Sequence, residues 1–116
     1  MITIEGLREF GADADTALKR CLGNEAFYLK QINKVLEDDS FDTLKSSVES
    51  NDLDAAFEMA HALKGVWGNL GLTPLFEPVA EMTEHLRNKA DKDYSAYVDL
   101  IDNRINTLKK MKEDES

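Results

Sequence analysis

Apolar residues recur at helical spacing along almost the whole chain, and this periodicity restricts the fold more than any other feature. No segment sustains the alternation of apolar and polar residues that indicates a strand. Both prolines, Pro74 and Pro78, lie in one short stretch, so the other segments lack the residue that most disrupts a helix. The pattern therefore predicts an all-α fold. The apolar stripes occupy residues 27–36, 41–48, 53–70, 75–86 and 94–108.

Residues that favour helix ends fall between these stripes. Asp52 or Asn51 is placed to accept the unpaired backbone N–H groups at the start of the third helix, and Gly71 is placed to end it. Thr73 is predicted to cap the fourth helix, with Pro74 in its first turn. Further breaks are predicted at Gly6, Gly11 and Gly23, and at Asp91 or Asp93.

The connections between these helices are short, which predicts that neighbouring helices run antiparallel. A chain of 116 residues fits one domain. We therefore expect an antiparallel four-helix bundle with one or two short additional helices at the N-terminus. The domain is predicted to span residues 1–116, with the bundle core at roughly residues 24–112. No helix shows a long uncovered seam of a and d positions, so we expect a monomer.

The charge balance argues against several classes of partner. The chain carries 14 Lys and Arg against 23 Asp and Glu, a net charge of −9, whereas nucleic acids and anionic membranes bind clustered cations. No apolar run approaches the ~20 residues that span a bilayer, and the N-terminus lacks a secretory signal. Cys21 is the only cysteine, and His61 and His85 are far apart in sequence, so no metal site is expected. These features predict a soluble cytoplasmic domain that binds no cofactor of its own.

The segment 53–71 carries the most informative arrangement of side chains. On a helical wheel at about 100° per residue, seven of its apolar residues share a sector of roughly 120°. His61 and Gly65 each lie about 160° from the centre of that sector, and Gly68 lies about 140° away, beside the histidine. Phe57 and Lys64 flank His61 by one helical turn on either side. The residues predicted for the core face are Ala56, Met59, Ala60, Leu63, Val66, Trp67 and Leu70.

Glycine is unexpected on the solvent side of a helix. Each glycine in a helix interior costs roughly 1 kcal/mol relative to alanine, and nothing in the sequence compensates the fold for that cost. What Gly65 and Gly68 offer is the absence of a Cβ, which leaves room for another protein to approach His61. Phe57, on the same side, is predicted either to anchor such a partner or to be partly covered by a neighbouring helix.

The chemistry of an exposed histidine suits phosphoryl transfer. A neutral imidazole is a good nucleophile near neutral pH, because its unperturbed pKa is about 6.5. Lys64, one helical turn after His61, would place a positive charge near the phosphoryl oxygens. The phosphate-binding loops GxxxxGK[ST] and GxGxxG are both absent from the sequence. We therefore expect a chain whose histidine is able to hold a phosphoryl group, but which does not take that group from ATP and has no autonomous kinase activity.

The same residues resemble a known family. Residues 61–65, HALKG, and residues 68–71, GNLG, are similar to the H-x-L-K-G-x-x-G-N-L-G segment of histidine-containing phosphotransfer (HPt) domains. The resemblance implies a helical bundle in which His61 accepts a phosphoryl group from a receiver aspartate or a histidine kinase and passes it to a receiver aspartate. It also implies that Lys64 is the neighbouring cation and that Gly65 gives the partner clearance. The partner receiver domain would supply the aspartate and Mg²⁺.

Some features leave other functions open. Val66 and Trp67 are larger than the residues usual at these positions of the family, and we expect them to change helix packing more than transfer. In one alternative, the same surface binds a partner protein as a non-catalytic interaction module and His61 is never phosphorylated. In another, the chain is a dimerisation element of a kinase. The sequence contains no kinase, receiver or sensor segment, so it resembles a free-standing module, and it would equally fit a piece of a larger hybrid kinase.

Overall fold

The apolar stripes form helices where the sequence predicts them. The computed structural model describes residues 1–113, and within them it contains seven α-helices and no strand. The all-α prediction is therefore confirmed, as is the prediction of short helices near the N-terminus. The helices are α1 (Ile4–Phe10), α2 (Ala14–Arg20), α3 (Glu25–Glu37), α4 (Ser40–Glu49), α5 (Leu53–Asn69), α6 (Thr73–Arg87) and α7 (Ser95–Glu113).

Aspartate side chains begin two of the long helices. Asp52 Oδ1 accepts a hydrogen bond from the backbone N–H of Ala55 at 3.1 Å, which caps α5. Before α7, Asp93 Oδ1 accepts hydrogen bonds from the backbone N–H and the hydroxyl of Ser95, at 2.9 and 2.6 Å. The backbone bonds satisfy N–H groups that the first turn of a helix leaves without an intrahelical partner. The predicted cap at Asp52 and the predicted start of the last helix near Asp93 are confirmed.

The start of α6 differs from the prediction. Its N-cap is Leu72, which makes no side-chain capping bond, and Thr73 is already the first helical residue. The hydroxyl of Thr73 donates instead to the carbonyl of Gly71 at 3.4 Å. The predicted cap at Thr73 is wrong by one position, and Pro74 in the first turn lessens the need for a cap because it has no N–H to satisfy. Gly6, predicted as a break, lies within α1.

The long helices pack in chain order into a bundle. α4 packs on α5, α5 on α6, and α6 on α7, while α3 contacts α7. Their inward faces bury large apolar side chains, and this burial is the main source of the bundle's stability. The predicted helical bundle is therefore confirmed. No helix within residues 1–113 has the length and apolarity needed to cross a bilayer. The fully buried side chains include Tyr28, Leu44, Trp67, Met82 and Ile101.

Pro78 lies inside α6 and interrupts its hydrogen-bond ladder. Proline has no backbone N–H, so the carbonyl of Pro74, four residues earlier, receives no bond from its own ladder. Nη1 of Arg104, on α7, donates a hydrogen bond to that carbonyl at 2.6 Å. A side chain of one helix therefore replaces the backbone donor that its neighbour lacks.

Contacts from the N-terminal part of the chain hold the end of α5. The hydroxyl of Tyr28 donates to the carbonyl of Leu70 at 2.8 Å, and burial raises the pKa of Tyr28 to about 12. The backbone N–H of Asp13 donates to the carbonyl of Gly71 at 2.7 Å. Gly71 has a φ of 69°, and a Cβ there would overlap the carbonyl of Asp13, so this position requires glycine. These contacts fix the C-terminal end of the helix that carries His61.

Candidate functional site

His61 lies in the middle of α5 with its side chain in solvent. One face of α5 lies against the core, whereas His61 is exposed. The buried residues of that face are Ala56, Ala60, Leu63 and Trp67. This division follows from the helical period, which brings residues three or four apart onto one face. The predicted solvent-facing orientation of the histidine is confirmed.

Val66 departs from the predicted core face. Its side chain is 45% exposed, and it lines a groove of about 470 Å³ with Phe27, Val35 and Leu70. The prediction that Val66 belongs to the core is wrong, because α3 does not close over this edge of α5. Trp67, the next residue, is 1% exposed, and its ring centroid lies 6.3 Å from that of Phe41.

An open depression of about 470 Å³ adjoins His61 on the surface of the bundle. A Cβ at Gly65 would meet no atom within 4 Å, so within residues 1–113 nothing packs over this position. The fold itself therefore gives no packing reason for a glycine at position 65. The depression is lined by Arg20, His61, Lys64, Gly65, Gly68, Asn69 and Phe76.

Gly68 has different surroundings from Gly65. A Cβ at Gly68 would lie 2.9 Å from two ring carbons of Phe76, which is closer than carbon atoms approach without displacement. The absence of a side chain at Gly68 thus allows the ring of Phe76, on α6, to pack against α5. Gly68 has a role in helix packing that the wheel did not predict.

Phe57 is half-buried and contacts the histidine. Its ring centroid lies 5.7 Å from that of His61, and the two ring planes differ by only 11°. The guanidinium of Arg87, on α6, lies over the Phe57 ring at 5.0 Å from its centroid. Arg87 Nε also donates to Glu84 Oε2 at 3.0 Å, and this bond holds the pKa of Glu84 below its usual value. The partial burial predicted for Phe57 matches the structure, and its role as an anchor for a partner stays a prediction.

Two cations rim the depression beside His61. Lys64 forms no ion pair within 4.0 Å with any of residues 1–113. Arg20 Nη1 donates to the carbonyls of Gly68 and Asn69, at 3.1 and 2.8 Å. These carbonyls belong to the last turn of α5, where a helix carries partial negative charge.

Among the described residues, no group of three or more His, Cys, Asp or Glu side chains is placed to hold a metal ion.

The sequence was compared with models of known protein families, and one family matches nearly the whole chain. The sequence model of the Hpt domain family matches residues 7–111. The chain belongs to the Hpt domain family. The match begins within α1 and ends within α7, so the Hpt domain includes the whole bundle described above. No significant match was found among curated proteins or among solved structures. Hpt domains take part in phosphotransfer in two-component signalling, and they interact with receiver domains and histidine kinases.

Several residues near the histidine of this Hpt domain were not found from the sequence. Arg20, Phe76 and Arg87 come from α2 and α6, whereas a helical wheel describes one helix at a time. Arg20 is the last residue of α2, a position that cations favour, but that preference does not indicate which other helix the side chain will reach. Only the packing of the helices brings these side chains to the surface of α5.

Proposed function

We propose that this Hpt domain is a phosphorelay intermediate whose phosphoryl group is carried by His61. The observation that supports this most directly is the exposed imidazole with open space over Gly65, one helical turn away. A receiver domain has to bring an aspartyl phosphate to the ring, and a side chain at position 65 would stand in its path. The other histidine, His85, lies beside Glu81 and Tyr97.

In the transfer step, the imidazole of His61 is the nucleophile, and solvent accepts and supplies the protons. An unprotonated ring nitrogen of His61 attacks the phosphorus, and a P–N bond forms while the P–O bond to the donor aspartate breaks. The aspartate leaves as a carboxylate, and the other ring nitrogen releases its proton to solvent. When the donor is a histidine kinase, the bond that breaks is the P–N bond on the kinase. In onward transfer, a receiver carboxylate attacks the phosphorus, and His61 leaves as a neutral imidazole after protonation by solvent.

Lys64 is proposed to offset the charge of the phosphoryl group. Its ammonium follows His61 by one helical turn and forms no ion pair with the described residues. A lysine acts here as a point charge on a flexible stem, which needs no fixed geometry at the phosphoryl oxygens. The receiver domain supplies the aspartate and Mg²⁺, and this chain supplies the carrier.

Phosphoryl transfer from labelled receiver domains tests the proposal. The protein is incubated with a set of phosphorylated receivers and Mg²⁺, and we expect it to gain a label that is stable in base and lost in acid. His61→Gln should abolish labelling while helicity and melting stay nearly unchanged, because an exposed side chain contributes little to stability. His85→Gln is the matched control and should be labelled like the wild type.

Two results would contradict the proposal. A folded wild-type protein that gains no label from any receiver or histidine kinase would favour the phosphorylation-independent interaction module. Label that persists in His61→Gln would show that another residue is the acceptor.

Gly65→Gln tests the open space separately: we expect slower transfer with the fold kept or slightly stabilised, since glutamine favours helix more than glycine does. Transfer at the normal rate in that variant would show that the space is not used.

A further inference from the structure

The ring of Phe57 lies almost parallel to the imidazole of His61. Their centroids are 5.7 Å apart and their planes differ by 11°. Residues four apart on a helix are neighbours, so α5 alone forms this contact. An exposed imidazole samples several staggered rotamers, and stacking against an aromatic ring favours the orientation in which the rings overlap.

Side chains from the neighbouring helix hold Phe57 in place. The ring packs against the core, and the guanidinium of Arg87 lies 5.0 Å from its centroid. A cation over an aromatic ring is attracted by the negative charge of the ring face. Arg87 is in turn bound to Glu84 at 3.0 Å. A continuous series of contacts therefore connects an ion pair on α6 to the imidazole on α5.

We propose that Phe57 is a positioning residue, whose ring orients the imidazole of His61 for attack on phosphorus, and that Arg87 holds Phe57 in that position. The inference rests on the proposed function, because it concerns the same histidine. Phosphoryl transfer requires the attacking and leaving atoms to lie roughly in line with phosphorus. An imidazole that spends less time in the productive orientation lowers the transfer rate within the complex and leaves the affinity for the receiver unchanged. A docking role for Phe57 would instead change the affinity.

Kinetics of transfer separate these two roles. Phe57→Leu removes the ring and keeps an apolar side chain, whereas Phe57→Tyr keeps the ring. Single-turnover transfer is measured over a range of phosphorylated receiver concentrations, which gives a maximal rate and a half-saturating concentration. We expect Phe57→Leu to lower the maximal rate about three- to tenfold, with little change in half-saturation, and Phe57→Tyr to restore it. Phe10→Leu is the matched control, because Phe10 lines a groove with residues of α6 and α7 and none of α5.

The orientation of the ring is also observable without transfer. The ring current of Phe57 shifts the NMR signals of the His61 ring protons, and we expect Phe57→Leu to abolish this shift and Phe57→Tyr to keep it. His61 signals that do not move in Phe57→Leu would overturn the inference. An unchanged maximal rate in Phe57→Leu would also overturn it. If the half-saturating concentration rose at that unchanged rate, the result would indicate a docking role for Phe57 instead. Failure of the wild type to accept label from any donor is a separate result, which would overturn the proposed function and the positioning role together.

Discussion

Gly65 and Gly68 lie three residues apart on α5, and alanine at each position gives a matched test of their opposite surroundings. A Cβ at Gly65 would meet no atom within 4 Å, whereas a Cβ at Gly68 would lie 2.9 Å from the ring of Phe76. Alanine in a helix interior is about 1 kcal/mol more favourable than glycine. Gly65→Ala is therefore expected to raise the free energy of unfolding by about 1 kcal/mol, which corresponds to about 4 °C in Tm for a domain of this size.

Gly68→Ala gains the same helix propensity but has to displace an aromatic ring. Inserting a methyl group into a packed contact costs about 1–3 kcal/mol, so the net effect is a loss of about 0–2 kcal/mol. Gly68→Ala should thus be about 1–3 kcal/mol less stable than Gly65→Ala, although the chemical change is identical.

Urea unfolding measures this difference by far-UV circular dichroism and by fluorescence of Trp67, the only tryptophan, which is 1% exposed. Phe76→Ala supplies the control background. Without the ring, Gly68→Ala should become as favourable as Gly65→Ala, because the Phe76 ring is the contact that opposes the added methyl group at position 68. Equal stabilisation by both alanines with Phe76 present would refute the packing role of Gly68.

Three further substitutions test the contacts that hold the bundle. Tyr28→Phe removes the donor to the Leu70 carbonyl and should lower the unfolding free energy in urea by about 1–2 kcal/mol. Since the folded-state pKa of Tyr28 is raised to about 12, the wild type should also lose stability as the pH rises from about 10 to 12, and the variant should lose less. Arg104→Met leaves the Pro74 carbonyl without a donor at an expected cost of about 1–3 kcal/mol, and an unchanged melting curve would contradict this. Hydrogen bonds from a serine hydroxyl and backbone N–H hold the pKa of Asp93 below its usual value, so its contribution is present above about pH 4 and lost at lower pH. Asp93→Asn and the wild type should therefore differ in unfolding free energy at neutral pH and converge in strong acid; the same difference at both would argue against a role for the charge.

The fold could be predicted from sequence because its signals are local. Apolar periodicity sets the helices, and the aspartate at position 52 identifies the start of α5 within one residue. The orientation of His61 follows from the same periodicity. The predicted cap at Thr73 is one position too late, because Pro74 removes one N–H group from the first turn and so lessens the need for a side-chain cap.

The differences between prediction and structure at the site concern relations between helices. Val66 has the spacing of a core residue, but whether α3 covers it depends on how closely two separate helices approach. Gly68 has the spacing of a surface residue, yet the ring of Phe76 approaches it from α6. A helical wheel shows in which direction each side chain points from the axis of one helix. It contains no information on which neighbouring helix lies in that direction. Arg20 and Arg87 were missed for the same reason.

The proline within α6 also affects how the bundle assembles. The carbonyl of Pro74 obtains its donor from Arg104, so this acceptor in the first turn of α6 is satisfied within the protein only when α7 is docked. Before docking, water is the available donor for that carbonyl, and the turn is weaker than in an uninterrupted helix. Opening of α7 should therefore also lower the stability of α6 around Pro74. A residue that weakens one helix in isolation thereby makes the folding of two helices more cooperative.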